Sequence, residues 1–370
     1  MQFAILVLVL VSIGLSAVAI ARHQPLDWRF AVPETVASDA APIFETIFDY
    51  TAPAGQAHAP GIVLNGEQVS IVWFEGSEEA QADVDIHAAH FSRADGAWQA
   101  SAPAPYATRT ALGAAFEPRQ LVVTLGNTIQ NEAAENALYA TVVSVGGWAM
   151  ASVADVRMGA DGPVSARKLN LSPLLNRSHL VKSPMVAYAD GSHALPAYFE
   201  MGSAYAVLAR LDDKGRVVDQ RRMPARGVKA IQPMIVPLDQ ARAVAFLRDF
   251  DPSWKLWISR TSDGGKTWSE VTATDIPNSS APVAALSLGG DRILAVMNDD
   301  AERRHELRLS LSEDGGTSWR MIHRLQDDAG DARYPMLRRL PSGEILLAYS
   351  HGTKRGIRAH VMNDAWITAQ

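Results

Sequence analysis

An all-β propeller is the fold this sequence predicts, and three observations predict it. The phrase Thr261-Ser262-Asp263-Gly264-Gly265-Lys266-Thr267-Trp268 returns as Ser312-Glu313-Asp314-Gly315-Gly316-Thr317-Ser318-Trp319, with the aspartates 51 residues apart. Internal periods of about 40–50 residues mark propeller blades. A degenerate, shorter copy stands at Ser92–Trp98. Between these turns, short apolar or alternating runs such as Gly61–Trp73, Met185–Phe199, Ile231–Leu247, Val283–Met297 and Met336–Tyr349 end in Gly or Asp turns, the spacing of an all-β ring or sandwich. No amphipathic stretch is long enough for a core helix, and Leu307-Arg308-Leu309-Ser310-Leu311 shows the period of two that marks a strand with one buried face.

The elements follow in chain order. Met1 to Ala21 carries no charged side chain and is followed at once by Arg22 and His23. A signal peptide cut after Ala19-Ile20-Ala21 and an uncleaved anchor, for which about 20 apolar residues suffice, both fit. Both readings export the propeller to the periplasm or the exterior; Arg22 and Arg29 favour the reverse orientation under the positive-inside tendency. Residues 22–50 form a Pro-containing lead-in that can supply a closing strand. Residues 51–370 form the propeller as one domain, expected as a monomer.

In the repeated turn, each residue type has a physical reason. The carboxylates of Asp263 and Asp314 can accept backbone N–H groups of their own turn. Gly265 and Gly316 tolerate positive φ. Trp268 and Trp319 pack their rings under the hairpin. This is a device that holds the fold; a Ca²⁺ loop would need several more oxygen ligands.

Composition narrows the function. The 370 residues carry a net charge of -6 without blocks of like charge, which argues against a nucleic-acid surface. Positive charge for an anionic ligand must therefore be local. There are no cysteines among the 370 residues, so thiolate chemistry is absent. The ten histidines show no metal-ligand spacing, and neither a metal nor a cofactor is expected.

Two copies of S/T-x-D-x-G-x-T/S-W resemble the Asp box of sialidases. His58-Ala59-Pro60, Trp73–Glu79, Asp83–Ile86, Gly146-Gly147-Trp148, Leu180–Pro184, Leu195–Glu200, Ile231-Gln232-Pro233, Phe246–Asp249, Tyr334-Pro335 and Arg355–Arg358 extend the resemblance over about residues 55–366. The chain is similar to the bacterial sialidase-like (BNR-repeat-like, Asp-box) family of the sialidase superfamily. The resemblance implies a six-bladed propeller with its site at one end of the central channel. It also implies an arginine triad for a sugar carboxylate, a Tyr nucleophile polarised by Glu, and an Asp acid/base.

Carried over residue by residue, the resemblance puts Arg248 at a site arginine, with Arg304 as another, for which Arg303 and Arg308 compete. Tyr334 falls at the nucleophile, with a core role as its alternative. Asp83 falls at the acid/base, with Asp85 as its rival. Glu200, Asp249 and Arg358 stand at predicted strand ends, where propeller sites are built. Two positions depart from the pattern. His58 replaces the Arg of an Arg-x-Pro signature, and Gln232 replaces the Glu that would take a proton from Tyr334, whose phenol ordinarily titrates near 10. A histidine suggests proton transfer by His58, which suits a different glycosidase or a polysaccharide lyase.

Two functions follow. The first is an exported glycoside-active enzyme, an exo-glycosidase on an acidic or deoxy sugar of a glycan or polysaccharide. The second is a non-catalytic carbohydrate-binding propeller in polysaccharide export or assembly, attached to the membrane through residues 1–21. In both the partner is a glycan.

Overall fold

In a computed structural model the described residues are 2–22, 25–32, 40–172, 176–251, 253–300, 302–326 and 330–370. The strands form six antiparallel sheets of four or five strands, each the blade of a propeller. Blade 1 runs from Gln56 to Ala107, blade 2 from Thr124 to Lys168 and blade 3 from His179 to Arg222. Blades 4 and 5 occupy Ala230–Pro277 and Ala284–Gln326. Blade 6 joins Arg333–Arg339, Ile345–His351 and Gly356–Met362 to an N-terminal strand, Phe44–Thr51, which pairs with Gly356–Met362. The first and last strands thus lie side by side in one sheet and close the ring.

Burial explains the sequence pattern strand by strand. Blades stack face to face, so central strands such as Ala137–Val143 and Ile345–His351 are buried along their whole length and read as continuous apolar runs. The outermost strand Val217–Arg222 alternates between half-buried and exposed residues, as a strand with one wet face must. First strands of neighbouring blades touch around the channel.

The Asp boxes behave as their residue types require. Asp314 accepts hydrogen bonds from Ser318 N at 2.8 Å, Ser318 Oγ at 2.6 Å and Ser312 Oγ at 2.9 Å. Asp263 does the same with Thr267 N, Thr267 Oγ1 and Thr261 Oγ1 at 2.8, 2.6 and 2.8 Å. These bonds hold both carboxyls below the usual range. Trp319 packs edge-on against Phe246, ring centroids 5.6 Å apart, and Trp268 is buried among Phe30, Tyr188 and Leu208.

The first turn also receives the chain's N-terminal segment. Phe30 is fully buried, Tyr188 Oη donates to Gly264 O at 2.8 Å, and Phe30 N donates to Gln240 O at 2.8 Å. The Arg210 guanidinium, wholly buried, lies 3.5 Å from the Tyr188 ring centre and donates to Asp27 O at 2.6 Å.

Helices are confined to the margins. Arg109–Ala115 and Asp364–Ala369 are short and capped by Thr108 and Asn363. A helix, Gln2–Arg22, precedes the propeller, and apolar side chains on it, such as Phe3, Leu8 and Ile20, are exposed. Several of its side chains lie outside the described residues, and among the described residues no helix is long and apolar enough to cross a membrane.

One irregularity positions the site. The first strands of blades 1, 4 and 6 slip register at His58/Gly61, Ile231/Met234 and Arg333/Met336. Each slip holds an X-Pro pair: Ala59-Pro60, Gln232-Pro233 or Tyr334-Pro335. Proline cannot donate to the ladder, so it forces a bulge, and it drives the residue before it out of the helical region. Ala59, Gln232 and Tyr334 all adopt left-handed φ, 57°, 53° and 56°.

Candidate functional site

At the channel end where these bulges lie, Gln232, Arg248, Tyr198, Tyr334, Glu200, Arg333, Lys354, Glu79, Asn127, Trp148, Phe74 and Phe250 are among the residues that line one cavity of about 260 Å³. A larger cavity, about 890 Å³, opens on the outer flank between blades 1 and 6 around Trp98 and Pro341. Arg93, the one Lys or Arg among its described lining residues, is paired with Glu344, so convergent polar chemistry lies at the channel mouth instead.

Arg248 organises the pocket. Its Nη1 donates to Tyr334 Oη at 3.1 Å and to Gln232 Oε1 at 3.2 Å, and its Nε donates to Ser280 Oγ at 3.4 Å. Gln232 Nε2 in turn donates to the buried Tyr198 Oη at 3.1 Å, which also accepts from Asn127 Nδ2 at 3.4 Å. Burial raises the Tyr198 phenol well above its ordinary value. It also raises the Glu200 carboxyl, against the opposing pull of Arg248, which favours the protonated acid.

Arg248, Arg333 and Lys354 place three cations on the wall, opposed by Glu79 and Glu200. Lys354 is hydrogen-bonded to Glu79, and Arg333 pairs with Asp331 at 2.9 Å. In a chain of net charge -6, this is the local positive charge an anionic ligand needs. Aromatic rings form much of the rest of the wall, so the cavity can hold a small ring bearing a carboxylate.

Behind the wall stand two groups with displaced protonation. His58 is 1% exposed, and its Nδ1 meets Ser350 Oγ at 2.8 Å. Its ring lies 4.4 Å from that of Tyr334. Burial, with Lys354, Arg333, Lys182 and Arg248 nearby, holds its pKa well below the ordinary value, so it is neutral. Lys182 Nζ donates to Pro335 O at 2.9 Å and lies 5.9 Å from the Tyr334 ring centre. Burial brings the Lys182 ammonium down to about 7 from 10.5.

That shift has a measurable sign. An unfolded lysine still holds its proton between about pH 7 and 10.5, whereas the folded chain has released it. Stability therefore rises through this window and is lost as pH falls toward 7. Lys182→Met should flatten the rise, read as urea midpoints of both proteins at pH 7, 8 and 9; parallel pH dependences would contradict it.

The sequence-predicted residues divide. Tyr334, Gln232, Arg248 and Glu200 come together in the pocket. His58 supports Tyr334 from behind rather than facing the cavity, since Phe74 and Tyr334 enclose its ring. Asp83 is exposed, its carboxylate engaged by Ser77 N at 3.0 Å and Ser77 Oγ at 2.9 Å. Those bonds lower its pKa, the wrong direction for an acid. Asp85 accepts from Arg109 N at 2.7 Å. Arg304 stacks over Trp254 on the rim, Asp249 accepts from Ser253 Oγ at 2.5 Å, and Arg358 pairs with Asp49 at 3.0 Å; none of the three lines the cavity.

Sequence reading missed Arg333 and Lys354. Arg333 had a signal: Arg333-Tyr334-Pro335 repeats the spacing of His58-Ala59-Pro60 and itself reads Arg-x-Pro. Lys354 had none, being a turn residue with φ of 70°.

Comparisons with known proteins agree with this architecture. A protein of unknown function from Dyadobacter fermentans DSM 18053 superposes with a TM-score of 0.64 at 14% identity, covering 86% of this chain and 99% of that one. The Hadza microbial sialidase Hz136 gives a TM-score of 0.61 at 14% identity over 82% of this chain and 65% of its own. NanB sialidase of Streptococcus pneumoniae gives 0.60 at 13% identity over 87% and 70%. At such identities the likeness establishes the fold. A search of curated proteins finds no match. The family model described as BNR repeat-like domain matches residues 67–347, most of the chain, and the protein belongs to this sialidase-like BNR-repeat family.

Proposed function

We propose that the protein is a glycoside-active enzyme whose mouth pocket takes a terminal acidic sugar. The observation that carries this reading is Arg248, which donates to Tyr334 Oη and Gln232 Oε1 within a pocket that also holds Arg333, Lys354 and Glu200. Arginine matches a carboxylate with its planar fork. Tyr334 Oη, held by the Arg248 guanidinium, serves as the nucleophile at the anomeric carbon. Glu200, whose carboxyl is raised by burial against the pull of Arg248, supplies the proton to the departing oxygen. A covalent sugar–Tyr334 ether results, and water then cleaves it with Glu200 acting as base.

Release of reducing sugar from a panel of sialylated and uronate-terminated oligosaccharides tests the proposal. At least one acidic member should be cleaved, and wild-type activity in Tyr334→Phe would refute the assignment.

One observation favours a binding-only reading: Gln232 stands where the family pattern has a proton-accepting Glu. Gln232→Glu separates the two. A carboxylate here competes for the Arg248 guanidinium, so affinity for an acidic monosaccharide should fall about tenfold. In an enzyme kcat should rise, because Tyr334 gains a base; persistent absence of turnover in both proteins would identify a binding module.

Export is part of the proposal, supported by the charge-free run Met1–Ala21. Recovery of the chain from the cytoplasm alone would contradict it.

A further inference from the structure

The rim beside the pocket carries an aromatic surface that the proposed chemistry does not use. It lies in the turn between the second and third strands of blade 4, Ala243–Asp249 and Lys255–Thr261. Phe250 is 41% exposed and Trp254 is 37% exposed, although both are large apolar side chains in a chain that buries most of its others. Phe250 lines the pocket itself, and Trp254 follows it four residues on in the same turn.

Trp254 is held, not loose. Its φ is 58°, a left-handed conformation that a bulky side chain adopts only where its surroundings impose it. The surroundings do so at several points. Asp249 Oδ2 accepts from Ser253 Oγ at 2.5 Å, Ser253 N donates to Asp251 O at 2.8 Å, and Phe250 N donates to Lys229 O at 2.9 Å. Trp254 O accepts from Asn278 N at 3.0 Å, and Asn278 is fully buried. The Arg304 guanidinium lies 5.2 Å from the Trp254 ring centre, and its charge adds to burial in lowering the pKa of Arg333 in the pocket. Strain sustained by this many bonds keeps an aromatic plane at the edge of a polar cavity.

We propose that Phe250 and Trp254, with Arg304 supporting the Trp254 ring, form a second subsite for the sugar that precedes the acidic terminal unit in a glycan chain. The apolar face of a pyranose ring matches an indole in area and shape, and such contact is tolerant of the hydroxyl pattern. The pocket of about 260 Å³ is matched to a single sugar, and the next unit leaves through its rim. The inference rests on the acidic-sugar reading of the pocket and adds to it a preference for oligomeric over monomeric ligands.

Calorimetry on the full chain with two matched pairs tests it: glucuronic acid against a hyaluronan tetrasaccharide ending in glucuronate, and N-acetylneuraminic acid against 3′-sialyllactose. For the pair that binds, Trp254→Ala should weaken the oligosaccharide roughly tenfold and leave the monosaccharide within about twofold. Trp254→Phe, which keeps a ring, should recover most of the loss. Arg248→Ala should weaken both members alike. Equal effects of Trp254→Ala on both members, or no effect on either, would overturn the subsite while leaving the pocket reading intact. Failure of all four sugars to bind the wild-type chain would overturn the pocket reading and the subsite together.

Discussion

Arg248→Ala is expected to lower the affinity of the mouth pocket for an acidic sugar by at least about a hundredfold, with thermal stability nearly unchanged. The guanidinium bonds Tyr334 Oη, Gln232 Oε1 and Ser280 Oγ, so its removal takes away the ligand's counter-charge and the donor that fixes the reacting phenol. Losing a charge-assisted contact in a secluded site costs about 2–5 kcal/mol, and about 2.7 kcal/mol is already a hundredfold. The remaining cations do not compensate, because Arg333 is engaged by Asp331 and Lys354 by Glu79. Titration of both proteins with the best-bound acidic sugar decides the matter; a loss below about fivefold would mean that the carboxylate sits elsewhere.

Gly264→Ala is the second large effect, and it concerns stability. A Cβ at Gly264 would stand 1.4 Å from the carbonyl oxygen of Trp28, with φ at +75°. Backbone meets backbone, so no rotamer relieves the clash. The segment from Pro25 to Val32 must leave, exposing Phe30 and removing Trp28 and Asp27 O from the wholly buried Arg210. Exposing one buried Phe costs about 2–3 kcal/mol, and a buried cation deprived of a partner adds a comparable amount. A drop in melting temperature of roughly 5 °C should follow, with new proteolysis confined to the N-terminal segment. A melting temperature within about 1 °C of wild type would show that the segment contributes nothing.

Much of the architecture is written locally. Period-two runs and turn residues mark the strands, and Asp263 and Asp314 act within their own turns, so neither needs distant information. The X-Pro bulges are local as well, although Gln232 and Tyr334 are readable from sequence as pocket residues through the family resemblance of Ile231-Gln232-Pro233 and Tyr334-Pro335. The site's charge balance is not local. Lys354 comes from a turn of blade 6 and Glu79 from a loop of blade 1, and only ring closure brings them together. Asp83 illustrates the opposite difficulty: a carboxylate in a suggestive loop is silenced by Ser77 six residues earlier. His58, in the place of an arginine, is likewise converted by burial from a proton carrier at the surface into a neutral support for Tyr334.

The central claim is that Arg248 makes the channel mouth a receptor for a carboxylate. The most direct measurement compares the affinity of the best-bound acidic monosaccharide with that of its methyl ester, in wild-type protein and in Arg248→Ala. The acid should bind wild type at least about tenfold more tightly than the ester, and this discrimination should vanish in the variant. Equal affinity of acid and ester for the wild-type chain would contradict the account.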